Sequence, residues 1–162
     1  RHYSTSLNWI SDAGLGSKVY RLKCFDIPLK AYRDEASFKF YFNDTGLLLS
    51  MYEENVQYDI LKGNLGVFKG GIFENVIAQI LLYNDMPIYY WTNETSRAEI
   101  DFVIQHESKV IPVEVKAGNS DTPSLNNFLD KFKSKYGIKL IDGNLGVSEN
   151  KLVLPHFMAM FL

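Results

Sequence analysis

Between Gly70 and Ile141 the apolar period changes from about 3.6 residues to about 2 and back again, and few folds accommodate that order. Phe73, Val76, Ile77, Ile80 and Leu81 form the stripe of a helix that runs from Ile72 to about Tyr83, preceded by Gly70-Gly71. Asp85-Met86-Pro87 turns the chain. Ile88-Tyr89-Tyr90-Trp91, Glu99 to Ile104 and Val110 to Lys116 then read as three strands, separated by turns at Asn93 to Arg97 and Gln105 to Ser108. After a loop from Ala117 to Pro123, Leu125, Phe128, Leu129 and Phe132 mark a second helix that ends near Gly137. Ile138 to Ile141 is a fourth strand, and the apolar tail from Leu152 to Leu162 is expected to pack back on the sheet. The order α-β-β-β-α-β predicts an α/β fold.

The chain upstream is organised differently. Tyr3, Leu7 and Ile10 recur at helical spacing, and Gly14 stops that helix. Val19 to Leu22 and Leu29 to Tyr32 read as short strands, and Phe38, Phe40 and Phe42 alternate with Lys39 and Tyr41 at strand period. Asn43-Asp44-Thr45-Gly46 turns the chain, with Asp44 or Thr45 able to cap a short helix through Leu49. Helix, hairpin and strand together resemble the trailing half of a winged helix. Glu53 to Gly66 is polar and reads as irregular. The expected division is residues 1–52 (winged-helix-like), 53–69 (connection) and 70–162 (the α/β unit).

Composition narrows the function classes. The chain has 162 residues, 46% of them hydrophobic, which suits one domain with an appendage at the usual ~100–200 residues per domain. The formal charge of −2 weighs against a dedicated nucleic-acid binder, which is generally basic. Cys24 is the only cysteine, so no disulfide closes within the chain and no thiolate cluster holds a metal. A reducing, cytoplasmic setting is the expectation. The longest apolar stretch, Val76 to Tyr83, is interrupted by Gln79 and falls short of the ~18 residues of a membrane span. An opening at Arg1 reads as a piece cut from a longer protein.

The strands carry the chemistry. Alternation places Glu114 and Lys116 on one face, Val113 and Val115 on the other, and Asp101 opposite Ile100 and Phe102. Pairing through the turn at Gln105 to Ser108 brings Asp101 and Glu114 side by side. Two carboxylates that close repel unless a cation or a proton lies between them. Mg²⁺ or Mn²⁺, hard ions that take oxygen ligands, would suit the pair. Lys116 is then placed to orient a water or to stabilise developing charge. Glu74 sits at the margin of the first helical stripe, with Ile77, Ala78 and Leu81 following at helical spacing, so it leans toward the sheet.

Helix-Glu74, strand-Asp101 and strand-Glu114-x-Lys116 resemble the PD-(D/E)xK nuclease superfamily, with its restriction-endonuclease-like fold. More narrowly, three segments are similar to the C-terminal domain that follows an AAA-type ATPase module in many uncharacterised bacterial and archaeal proteins. They are Gly71-Ile72-Phe73-Glu74-Asn75-Val76, Glu99-Ile100-Asp101-Phe102-Val103 and Pro112-Val113-Glu114-Val115-Lys116-Ala117. Asp12-Ala13-Gly14-Leu15, Pro28-Leu29-Lys30-Ala31-Tyr32 and Tyr41-Phe42-Asn43-Asp44-Thr45-Gly46-Leu47 extend the resemblance over nearly the whole chain. It implies metal ligation by Asp101, Glu114 and the Val115 carbonyl, a catalytic Lys116 and a supporting Glu74. It also implies DNA as substrate and an ATPase module upstream as partner. No Pro precedes Asp101, and no Walker-type phosphate loop occurs.

Other residues have plainer readings. Glu99 is expected to pair with Arg97 or Lys109. Lys131 and Lys135, one turn apart, read first as a solvated helix face and second as a phosphate-binding patch. Tyr89-Tyr90-Trp91 reads as a core strand, with base stacking the lesser alternative. His106 falls in a turn, and His2 and His156 lack metal-ligand spacing. Two alternatives to a nuclease stand: an inactive docking module of the same fold, and a polar cluster in which Lys116 alone neutralises the carboxylates.

Overall fold

A computed structural model describes residues 2–93, 95 and 98–162. Glu94, Ser96 and Arg97, and with them most of the turn expected at 93–97, lie outside the described residues. Five α-helices occur in this part of the chain: α1 (His2–Asp12), α2 (Thr45–Ser50), α3 (Glu54–Leu61), α4 (Lys69–Tyr83) and α5 (Pro123–Phe132). The strands are β1 (Gly16–Leu22), β2 (Arg33–Phe42), β3 (Ile88–Thr92), β4 (Glu99–His106), β5 (Lys109–Val115), β6 (Gly137–Ile141), β7 (Gly146–Ser148) and β8 (Lys151–Pro155). They form one eight-stranded sheet in the order β2-β1-β3-β4-β5-β6-β8-β7.

The expected succession is present as α4-β3-β4-β5-α5-β6. The helices lie on opposite faces of the sheet. Ile77, Ala78 and Leu81 of α4 pack with Phe102, Ile104, Ile111, Val113 and Val115. Leu125, Phe128 and Leu129 of α5 pack with Trp91, Ile100 and Val103 on the other face. Each helix brings its apolar stripe to one face of a sheet buried on both sides, so β3 and β5 are buried along nearly their whole lengths. The apolar tail does pack back: β8 runs parallel to β6, and a 3-10 helix over His156–Phe161 comes after it, with Ala159 buried.

Four local expectations are corrected. Leu29–Tyr32 is a 3-10 helix, not a strand. Pro28 precedes it, the Ala31 N–H closes a tight turn on the Pro28 carbonyl, and Leu29 is fully buried against the α5-side core. The stretch read as irregular contains α3, held at its start by the Gln57 side chain, which donates to the carbonyls of Ser50 and Tyr52. Gly63, at φ 87°, stops the chain just beyond α3. Helix α4 starts at Lys69, ahead of the two glycines, because a 3-10 helix at Gly66–Phe68 runs directly into it. Helix α5 ends at Phe132, where Lys133 turns left-handed at φ 53°.

Two features of the sheet shape the surroundings of Asp101. β1 meets β3 at the single pair Arg21↔Tyr90, and β2 is tied to α4: the buried Asn75 side chain accepts from the Phe42 N–H at 2.9 Å and donates to the Phe42 carbonyl at 3.1 Å, as a neighbouring strand would. The second feature is a bulge. Tyr89 pairs with Val103 but Trp91 with Ile100, so two steps on β3 match three on β4. The alternation expected for Asp101 is therefore broken: Ile100 faces α5 while Phe102 faces α4, with Asp101 at the bulge between them. No single described helix is long and apolar enough to cross a membrane. The bent pair that has the composition for it includes α4, whose apolar stripe is buried in the sheet.

Candidate carboxylate-lysine site

The last backbone pair of the β4–β5 ladder is Phe102↔Val113, and continuing that register sets Asp101 opposite Glu114. The ladder is finished by a side chain: Asp101 Oδ2 accepts from the Val115 N–H at 2.7 Å. The next backbone groups are also fixed. The Lys116 N–H donates to the Leu140 carbonyl at 2.8 Å, and the Lys116 carbonyl accepts from His156 Nε2 at 2.9 Å. His156 is itself stacked on Phe73 of α4. Residues 115–116 are thus held by a strand on each side and by the chain's C-terminal segment. Rigid support of this kind keeps a reactive group in place.

Around this frame lie four carboxyl groups. Oxygens of Glu74, Glu99 and Asp101 are all within 4.8 Å of one another. Glu114 stands outside that mutual set, only 4% exposed. Its Oε1 is 2.7 Å from Lys116 Nζ, and its Oε2 is buried with no hydrogen-bond partner. A second ammonium, without counterpart in the expected site, enters from β2: Lys39 Nζ lies 2.7 Å from Glu74 and 2.5 Å from Glu99. The Tyr41 hydroxyl donates to the same Glu74 oxygen. On a flat sheet β2 and β4, three positions apart, would be ~14 Å from each other, a gap that the long Lys39 side chain helps to close.

The electrostatics reflect burial and crowding. Burial, then the charges of Glu114 and Glu74, push Asp101 up to about 8 against the opposing Val115 hydrogen bond. Burial also raises Glu114, although the Lys116 ammonium pulls the other way. Burial alone would lower the two lysines, but their carboxylate partners outweigh it and raise both, Glu114 acting on Lys116 and Glu74 with Glu99 on Lys39. Tyr41 is held far above the phenol range by burial and by Glu74, so it acts as a fixed hydrogen-bond donor.

The structure gathers Glu74 and Asp101, adds Glu99, and sets the Glu114–Lys116 pair beside them. Val115 contributes its N–H to Asp101. Lys131 and Lys135 lie elsewhere, on and after α5; Lys131 sits over the rings of Trp91 and Phe132. Glu99 bonds Lys39, and Lys109 bonds Glu107 instead of Glu99; the expected Arg97 lies outside the described residues. Lys39 and Tyr41 did carry a signal: they share one face of a strand whose other face is Phe38, Phe40 and Phe42. His156 carried none, since its role is to hold a backbone carbonyl forty residues earlier.

The donor set suits a hard divalent cation. The oxygens of Glu74, Glu99 and Asp101 lie close enough together to share one ion, and Glu114 Oε2, outside that set, is buried without a partner. Among the described residues, four carboxyls face two ammonium groups, which leaves two negative charges when all are ionised. One divalent ion would balance them.

A mixed α/β protein with a carboxylate-lysine cluster at the end of a strand pair is the class these observations define. Residues 69–156 match the family model described as Domain of unknown function (DUF4143). The match covers more than half of the 162 residues, and the chain belongs to this family. No curated protein and no solved structure matches the chain.

Proposed function

We propose that the protein carries a metal-dependent phosphodiesterase site of the PD-(D/E)xK type, acting on DNA as part of an AAA-type ATPase. In this proposal the α4 to β6 unit is a restriction-endonuclease-like core, and residues 1–52 are a winged-helix-like remnant. The observation that carries the reading is the buried charge deficit: Asp101 and Glu114 press on each other, and Glu114 Oε2 has no protein donor. A buried carboxylate oxygen without a partner is costly and calls for a ligand. The family's usual company, AAA ATPases, supports the partner.

Asp101, Glu114 and the Val115 carbonyl would hold Mg²⁺ or Mn²⁺, which supplies Lewis acidity toward a phosphodiester. Lys116 orients the attacking water and meets developing negative charge, held in place by the fixed backbone at 115–116. Glu74, held by Lys39 and Tyr41, shapes the negative field around Asp101. A second reading is a nuclease-fold module without catalysis, for docking or regulation of the ATPase. It is favoured by Lys39, an ammonium already lodged between Glu74 and Glu99.

The test is cleavage of plasmid and branched DNA in Mn²⁺ by wild type, Lys116→Ala and Asp101→Ala. Cleavage lost in both variants supports the nuclease. Without cleavage, a melting temperature that Mn²⁺ raises in wild type but not in Asp101→Ala supports the inactive module. With neither effect, the metal site is refuted.

A further inference from the structure

Two lesser readings of the sequence, Lys131 as a phosphate ligand and Trp91 as a stacking residue, meet in one place. Lys131 Nζ lies 5.9 Å from the centre of the Trp91 ring and 5.2 Å from that of Phe132. Both aromatics, with Phe25, line an open cavity of about 830 Å³, within the range of about 300–1,000 Å³ typical of ligand sites. Phe25, Trp91 and Phe132 pack edge to face, with centroids 4.4 to 6.1 Å apart. Phe25 and Phe132 are half-buried, so ring surface faces the cavity. Among the described residues three cations, Arg21, Lys23 and Lys131, and one carboxylate, Asp26, stand on its wall. Asp34 holds Arg21 at 2.6 Å. Lys23 lies 3.7 Å from the same residue with its side chain 65% exposed, and Lys131 is exposed, so these two are the available ammonium groups.

We propose that this cavity binds one nucleotide unit, the base against Phe25 and Phe132 and the phosphate on Lys131 and Lys23. Aromatic surface with ammonium groups beside it is the chemistry that takes a base and its phosphate without reading sequence. Position adds a reason. Thr92 lies on the cavity wall and is the cross-strand partner of Glu99 in the carboxylate cluster. Such partners are ~4.5–5.5 Å apart, so cavity and cluster adjoin at one end of the β3–β4 pair. A single strand seated in the cavity would pass Thr92 on its way to Asp101. The inference rests on the phosphodiesterase reading for this link alone, because the cavity's own chemistry does not involve the carboxylates.

The experiment measures binding without metal. In a Trp9→Phe background Trp91 is the sole tryptophan, and Trp9 is 74% exposed, so the exchange spares the core. Emission is titrated in EDTA with thymidine monophosphate and with an oligothymidylate of about eight nucleotides, within the site sizes of about 4–16 seen for single-strand binders. The expected result is a saturable change in Trp91 emission. It weakens at least tenfold in Lys23→Ala/Lys131→Ala, and the slope of log affinity against log salt falls by about 0.7 per lost phosphate contact. Lys131→Arg keeps both properties. An oligonucleotide that binds more than tenfold tighter than the monophosphate identifies a strand as occupant, and equal affinities identify a free nucleotide. No emission change with either ligand, or an affinity and salt slope indifferent to the double substitution, overturns the proposal. Because no metal is present, binding without later cleavage would sink the nuclease reading and leave the cavity standing, and cleavage without binding here would do the reverse.

Discussion

Asp101→Asn should flatten the dependence of stability on pH in the metal-free protein. Asp101 is raised from 3.8 to about 8 by burial and by Glu114 and Glu74. Between those values the folded protein holds a proton that the unfolded chain has released. The unfolded state then binds fewer protons than the native state, so stability falls as pH rises through this window. Each pH unit costs at most ~1.36 kcal/mol for one such group, so wild type loses up to ~2.7 kcal/mol between about pH 5 and about pH 7. Glu114, raised in the same way, shares part of that slope. Asparagine has no proton to lose, can still accept from the Val115 N–H, and removes a negative neighbour from Glu114. The variant should therefore lose ~1–3 kcal/mol less than wild type over the same interval. Urea denaturation followed by far-ultraviolet circular dichroism, in EDTA at several pH values, measures the difference directly. Groups common to both proteins cancel in the comparison. Parallel stability curves for wild type and Asp101→Asn would show that the carboxyl titrates near its ordinary value, and the charge-deficit argument would fail with it.

Other substitutions probe the rest of the structure. Lys39→Met removes the ammonium between Glu74 and Glu99 and should tighten Mn²⁺ binding severalfold by calorimetry; weaker binding would show that Lys39 supports the ion site instead of competing with it. Asn75→Ala strips the partners from both backbone groups of Phe42 and should cost ~2–4 kcal/mol in urea denaturation, because each buried polar group left unpaired costs ~1–3 kcal/mol; a loss below ~1 kcal/mol would mean that the hairpin is held elsewhere. Gly137→Val should destabilise by ~1–3 kcal/mol, since even a Cβ there would meet Leu125 at 2.9 Å and Pro112 at 3.3 Å; an unchanged melting temperature would contradict the close approach of α5 to the sheet. Saturating Mn²⁺ at about a hundred times its dissociation constant should raise wild-type stability by ~2.7 kcal/mol and leave Asp101→Ala unmoved, read from the melting temperature.

The parts of the molecule legible in the sequence are those governed by local periodicity. The stripe of α4, the strands from Ile88 to Val115, the apolar face of α5 and the pairing of Glu114 with Lys116 all derive from side-chain directions that repeat every few residues. Capping and stop signals were less informative: α4 starts ahead of its two glycines because a 3-10 helix runs into it, and α5 ends at a left-handed Lys133 that no glycine marks. Leu29 became part of a 3-10 helix because it is drawn into the α5-side core, which its own neighbours do not reveal.

The sequence by itself determined an α/β order with two carboxylates and a lysine on adjoining strands. Only the tertiary structure decided what surrounds them. The bulge in β4 sets the bearings of Asp101 and Phe102, and it arises from a mismatch between two strands that neither contains alone. Lys39 and Tyr41 reach Glu74 from more than thirty residues upstream because β2 packs against α4, fixed there by Asn75. His156 holds the Lys116 carbonyl from forty residues downstream. Charge balance in a buried cluster is a sum over everything within a few ångströms. Distances that short are set by long-range closure of the chain, which local pattern does not encode.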